Sequence, residues 1–511
     1  MNGFTIRQSP APALLAFAII IALVLAGFLP VFFIGMKAGF VTGDRYLLHV
    51  AGFTLLQAGL STALSLALAV PVTRALARRR FPGRGIIIRL LVLPLALPGI
   101  VTVLGIVEIY GARGWLGGMF DIYGLQGILL AHVFFNFPIA ARMMLIRLAA
   151  IPPESWRLAA QLGFHDRHVW SRIEWPQVSA ALPGAATLIF LLCTASFTVV
   201  LTLGGGPNAT TLEVAIYQAL RFDFDPQRAA GLATVQLAIC SVLALLSHRL
   251  GGKIPARHFF RNVSTRYDGT SLLARFGDSL AIIAGLTILI PPIAAIVVSG
   301  ISHLQFGADA AVATVTSLAI GVCSASLGII LCWPLAQAAA RRRGWPQFSS
   351  LAAVLGLIMP PAVLATGWFL LLNRFSTFAV PAPALVIAMS TLMALPFAYN
   401  TLAAAVADST RQHDRLCASL GVSGINRFIQ IDLPSLRRPL GFSFLMAAIM
   451  SFGDLTAILF FGSQGFTTLP ALIYRQMGSY RMETAAGTAL ILTFLTLALV
   501  MLAERWSGRD D

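Results

Sequence analysis

The chain has 511 residues, 58% of them hydrophobic and only 11% charged, with a mean hydropathy of +0.83, whereas soluble domains are about half apolar and about a quarter charged. That excludes a soluble enzyme and indicates a multi-pass membrane protein. The formal charge of +16 could suit a nucleic-acid binder, but the Lys and Arg residues fall in short segments between long apolar runs, where they orient spans, so nucleic acid is set aside as a partner.

A hydrocarbon core about 30 Å thick needs about 20 mostly apolar residues per helix. The first such run, Pro12 to Phe33, is too long for a signal-peptide core and lacks a small-residue cleavage site, so it reads as a retained first span. The rest of the first half offers spans at roughly 51–73, 86–107, 125–147, 182–203 and 229–248. The Arg-rich stretch Arg74, Arg78, Arg79, Arg80, Arg84, Arg89 follows the second of them. The positive-inside rule puts this stretch in the cytoplasm.

After the fourth span comes RLAAQLGFHDRHVWSRIEWP, Arg157 to Pro176. It reads as a short helix stopped at Gly163, in a C′ position that tolerates positive φ, then a second amphipathic segment ending before Pro176. The fifth span places Ser196, Phe197 and Thr198 at membrane depth. Such groups either line a pathway or pack helices through small residues. His132 and His248 read as structural or interfacial rather than as ligands. Five cysteines, Cys193, Cys240, Cys323, Cys332 and Cys417, show no CxxC spacing, so no disulfide framework and no metal site is expected.

A basic region from Arg249 to Arg275 leads into the second half, with spans at roughly 277–300, 312–337, 350–373, 383–404, 439–461 and 485–503. Here the chain repeats itself. Pro71 and Arg78-Arg79-Arg80 recur as Pro334 and Arg341-Arg342-Arg343, Phe137-Pro138 as Leu395-Pro396, and Thr210-Thr211-Leu212 as Thr467-Thr468-Leu469. Ala195-Ser196-Phe197 recurs as Met450-Ser451-Phe452, followed by Asp454, the one carboxylate deep in a span. The predicted fold is all-α, with about twelve transmembrane helices in two tandem, parallel six-helix repeats; the alternative is that one or two of the Pro-rich or Gly-rich spans are re-entrant. Its parts are a first domain 1–255, a cytoplasmic linker 256–276 and a second domain 277–511. An even span count puts both termini in the cytoplasm and the loops near 38–50, 108–124, 204–228 and 462–484 outside.

The segment after the fourth span recurs too, as RLCASLGVSGINRFIQIDLP, Arg415 to Pro434. In both copies Gly follows Arg by six residues, Ile follows Gly by ten and Pro follows Ile by three. At these residues the chain resembles binding-protein-dependent ABC importer permeases, whose pattern of EAA, three residues, Gly, nine residues and I-x-L-P marks the helix that docks on the ATPase subunit. The resemblance assigns that role to Arg157, Ala159, Gly163, Ile173 and Pro176 and to Arg415, Gly421, Ile431, Leu433 and Pro434. The chain departs from the pattern at its acidic position, where Arg157 and Arg415 stand, and at Trp175. A salt bridge through the family's glutamate is therefore not carried over. The basic residues would instead face an acidic rim on the partner.

Longer segments, YGLQGILLAHVFFNFPIAARMML from Tyr123, LGGGPNATTLEVAIYQAL from Leu203 and GSYRMETAAGTALIL from Gly478, resemble the fused permease subunits of thiamine and thiamine pyrophosphate importers. The resemblance implies a bacterial inner-membrane subunit that is not itself an enzyme and holds no cofactor. Its implied partners are two copies of a cytoplasmic ABC ATPase, a periplasmic thiamine-binding protein and the lipid bilayer. No G-x-x-x-x-G-K-[ST] loop occurs, and Gly251-Gly252-Lys253-Ile254 lacks both the spaced first glycine and the hydroxyl, so ATP is expected on the partner. Ser196, Phe197, Thr198, Ser451, Phe452 and Asp454 would line the pathway, where aromatic faces and a carboxylate suit a thiazolium cation. A fused ferric-iron or polyamine permease is the alternative. A proton-coupled secondary transporter fits less well, because it would place several ionisable groups in its spans.

Overall fold

The computed structural model describes residues 10–37, 45–112, 114–117, 121–249, 268, 271–342, 344–374, 380–462 and 466–506. Arg343, the Gly251–Lys253 segment and most of the 256–276 linker lie outside them. Every regular element among the described residues is a helix. Hydrocarbon offers backbone N–H and C=O groups no partner, so an open chain crosses it only by bonding them within one segment.

Eight described helices are long and apolar enough to cross a membrane: Ala11–Met36, Arg45–Arg78, Leu125–Ala149, Asp166–Thr194, Leu272–Ser302, Ala308–Arg341, Ala382–Ser419 and Met482–Ala503. The remaining expected spans coincide with Pro226–Arg249, Leu433–Phe452 and two broken segments, one in each half. The broken segments are the third spans, expected as single helices. Arg84–Ala96 and Gly99–Tyr110 meet at a 109° bend, and Trp345–Ile358 is followed by a separate helix, Pro361–Arg374. The cause is a proline at the same repeat position, Pro98 or Pro360, which lacks an N–H and pushes the residue before it out of the helical region. Leu97 has ψ 130° and Met359 ψ 114°. The chain is thus an all-α polytopic protein built of two tandem six-helix repeats.

Its contacts form two compact units, one of Met1–Thr42, Ile216–Leu237 and Leu304–Asp511, the other of Gly43–Ala215 and Ala238–His303. The first helix of each sequence half therefore lies in the unit made mainly by the other half. In the first unit, Ala11–Lys37 packs on Ala308–Arg341, Trp345–Ile358 and Pro361–Arg374, and Trp368 Nε1 donates to the Leu23 carbonyl at 2.9 Å. In the second unit, Leu272–Ser302 packs on Gly99–Tyr110 and Arg45–Arg78.

Both crossings turn on a glycine at one repeat position. A Cβ on Gly367 would collide with the Gly27 backbone, and one on Gly105 with the Pro292 carbonyl. Lipid tails are as apolar as leucine, so helices associate in a membrane by close backbone approach at small residues.

The Thr-Thr-Leu repeats are fixed alike within each unit. The Leu212 N–H donates to Thr54 Oγ1 at 3.0 Å, and the Leu469 N–H to Ser317 Oγ at 2.9 Å. Each hydroxyl satisfies an N–H that the first turn of the following helix leaves without a partner.

Candidate functional site: the paired knobs and the broken fifth spans

The first knob begins at Pro152-Pro153, which end the Leu125–Ala149 helix and start a short one, Pro153–Gln161. Its twin is not a separate helix. The positions of Pro152 and Pro153 are taken by Thr410 and Arg411, so Ala382–Ser419 runs on unbroken to the turn. From there the copies agree. Gly163 and Gly421 both have φ +66°.

The Gly163 N–H reaches the Ala160 carbonyl at 3.1 Å and the Phe164 N–H that of Ala159 at 2.9 Å. The Gly421 N–H reaches Ala418 at 3.4 Å and the Val422 N–H Cys417 at 3.0 Å. This pair of bonds is the Schellman stop, and its C′ residue adopts a conformation in which a Cβ is strained. Space is not the constraint, since a Cβ on either glycine would meet nothing within 4 Å.

The segment after each glycine differs from the expectation that it ends before its proline. One helical turn, Asp166–Val169 or Gly424–Arg427, widens into a π-turn, Trp170–Glu174 or Phe428–Asp432. It then continues without a break into Trp175–Thr194 or Leu433–Phe452. Pro176 and Pro434 fall at the start of the new α-segment, where a missing N–H is tolerated.

On the knob surfaces, Arg157, Gly163, Pro176, Arg415, Gly421, Leu433 and Pro434 are exposed, Ile173 and Ile431 are half-buried, and Ala159 is buried. The sequence reading missed a recurring pair of exposed apolar groups. Leu158 and Leu162 are 56% and 61% exposed, and Leu416 and Leu420 at the same repeat positions are 56% and 66% exposed. Spaced i, i+4, each pair forms one helical face directly before the glycine. Two identical exposed leucine pairs are unusual on a surface unless something covers them. Their recurrence in both copies was the available signal.

Behind each exposed face lies a buried charge cluster. Arg74 Nε donates to Glu174 Oε2 at 2.9 Å and the Arg74 guanidinium stacks 4.7 Å over the Trp170 ring. Arg78 grips Asp278 through both Nε at 2.9 Å and Nη2 at 2.7 Å. In the other copy Asp432 lies 3.5 Å from Arg427 Nε and 3.8 Å from Arg341 Nη2, and Arg427 also pairs with Asp414. Burial alone would lower the Arg427 pKa, but the hydrogen bond it donates to Asp414 and the charges of Asp414 and Asp432 outweigh it and hold the guanidinium above its ordinary value.

Both fifth spans break where the sequence placed its pathway residues, after Ala195 and around Gly453–Leu455. Ser196 Oγ lies 2.8 Å from His132 Nε2, whose Nδ1 lies 3.0 Å from Ser61 Oγ, so three helices meet in one hydrogen-bonded chain. In the other half, Asp454 Oδ1 accepts the Thr456 and Ala457 N–H groups at 2.9 and 3.3 Å, and Ser390 Oγ donates to Oδ2 at 3.3 Å. Phe197 and Phe452 are buried, the latter against Gly321, and Ser451 is buried beside it. Thr198 is half-buried and packs at Gly99. No group of three or more His, Cys, Asp or Glu side chains among the described residues is arranged to hold a metal ion.

Residues 328–508 match the family model described as binding-protein-dependent transport system inner membrane component. The chain is 46% identical to a thiamine transport system permease protein of Brucella abortus (strain 2308), over 90% of this chain and 88% of that one. It is 42% identical to the protein so named in Salmonella typhimurium, over 98% of this chain and 96% of the relative. For the protein so named in Escherichia coli (strain K12) the identity is 40%, over 98% and 97%.

Proposed function

The chain belongs to the thiamine transport system permease family, and from that premise we propose that it carries thiamine and its phosphates across the inner membrane of a binding-protein-dependent ABC importer. ATP is hydrolysed on a separate subunit, and this chain supplies the path and the docking points. Members of such systems work with an ATPase and a solute-binding protein. Two ATPase copies, one per knob, and a periplasmic thiamine-binding protein complete the assembly in this reading. Both termini and both knobs face the cytoplasm. The chain is not an enzyme and holds no cofactor.

The observation that carries this reading is the duplicated knob, with one Schellman stop and one exposed leucine pair in each half. A pair of ATPases would have one docking face for each copy. ATP-driven closure of the two ATPases moves the knobs, and the breaks at Ser196 and Asp454 are where the fifth spans yield to admit substrate. The cation finds a carboxylate at Asp454, while Phe197 and Phe452, packed in the interior, support the break.

Growth provides the test. A strain that lacks this protein and cannot make thiamine should need far more external thiamine to grow. Normal growth on trace thiamine together with a defect in ferric-iron uptake would overturn the substrate in favour of iron.

A further inference from the structure

The carboxylates Glu174 and Asp432 occupy the same place in each copy, immediately before Trp175-Pro176 and Leu433-Pro434. Both are buried, at 0% and 4% exposure. Each is held from the basic end of one membrane-spanning helix, Arg45–Arg78 or Ala308–Arg341. Arg74 touches its knob at three points: the Asp166 carbonyl at 3.3 Å, the Trp170 ring and Glu174.

The other copy reaches the same end with different residues. Gln337 stands at the Arg74 position and donates to Asp432 Oδ2 at 3.4 Å. The missing guanidinium is replaced from the knob itself by Arg427, 1% exposed. Opposite charge is thus kept beside the carboxylate although the partner has changed.

A buried ion pair is weak as a source of stability, because the cost of desolvating both charges cancels most of their attraction. What it does fix is relative position, since neither charge can leave without exposing the other unpaired in the interior. The helices so gripped also touch the breaks in the fifth spans within their own units. Arg45–Arg78 carries Ser61, the end of the chain through His132 to Ser196. Ala308–Arg341 carries Gly321, against which Phe452 packs. From Arg74 to Ser61 the helix spans about 20 Å at 1.5 Å per residue.

We propose that Glu174 and Asp432 are positioning residues that lock each knob to the basic end of its helix, so that movement of the knob is delivered as movement of that helix to the broken fifth span. This rests on the reading of the knobs as ATPase docking points. It assigns the acidic role absent at Arg157 and Arg415 to a carboxylate that faces inward rather than toward the partner.

The test uses the full chain reconstituted with its ATPase and binding protein, comparing Glu174→Gln and Asp432→Asn with the charge-keeping Glu174→Asp and Asp432→Glu. With Gln or Asn the ATPase should still co-purify, while thiamine taken up per ATP hydrolysed falls about tenfold, a typical coupling energy between sites. The charge-keeping variants should recover most of that ratio. An unchanged ratio with Gln and Asn overturns the proposal. So does loss of ATPase co-purification that the charge-keeping variants fail to restore, since the carboxylates would then only hold the fold. A photo-reactive residue at Leu162 in the otherwise unmodified chain separates the underlying reading. If it does not cross-link to the ATPase, the docking role of the knob fails whatever the carboxylate variants do.

Discussion

Asp454 combines a cap seen in the structure with a proposed place in the pathway. Its Oδ1 receives the two N–H groups that open the Thr456–Phe461 helix, as a capping residue does, while the sequence sets its carboxyl group within an apolar span. Asparagine keeps the cap acceptor and removes the charge. We therefore expect Asp454→Asn to insert normally and to be less destabilised than Asp454→Ala, yet to transport thiamine poorly. Asp454→Ala, which loses both, should in addition be destabilised by about 1 kcal/mol. Uptake by the Asn variant at the unmodified rate would leave the carboxylate as a cap and nothing more.

At this scale the sequence was legible where a residue declares itself by type. The positive φ of Gly163 and Gly421 could be read directly. Glu174 and Asp432 could not. Each is a single acid in a polar amphipathic stretch, and nothing local shows that a neighbouring helix will bury it. Arg78 and Arg341 showed only part of what they do: they read as orientation signals, and the ion pairs they also make, with side chains 10% exposed or less, were not visible.

Among elements, the crossings at Gly105 and Gly367 decide whether the first helix of each half can pack in the unit made mainly by the other. Leucine at either glycine must push two backbones apart, and overpacking of this kind costs about 1–3 kcal/mol. We expect Gly105→Leu and Gly367→Leu to lower the unfolding temperature of the detergent-purified protein. Gly52→Leu, on a helix where a Cβ meets nothing within 4 Å, should leave it unchanged. Equal stability of all three would show that the close approach is not needed.

Helix existence was legible, because apolar length and proline position set it. The Pro98 and Pro360 breaks were not assigned, although proline was visible, since hydropathy averages across a bend. The exchange of first helices leaves no trace in periodicity at all. It depends on which surface each helix meets, and the apolar faces of membrane helices look alike.

For the whole molecule, the duplication is what makes function legible. Two knobs with the same turn, the same exposed leucines and a buried carboxylate at the same place are what the proposed docking of two equivalent partners rests on, whereas one copy would be only an interfacial loop. Substrate identity was never legible from physics, because a carboxylate in a span suits any cation, and it comes instead from kinship along nearly the full chain.

In the proposed function, ATP hydrolysis on a partner, delivered through the knobs, drives thiamine inward. The direct measurement is uptake of radiolabelled thiamine into proteoliposomes that hold this chain and its ATPase, with the binding protein outside and ATP within. Accumulation should require ATP and be lost when Leu158, Leu162, Leu416 and Leu420 are replaced by serine. Accumulation that follows a proton gradient without ATP, or that survives loss of all four leucines, would contradict the proposed function.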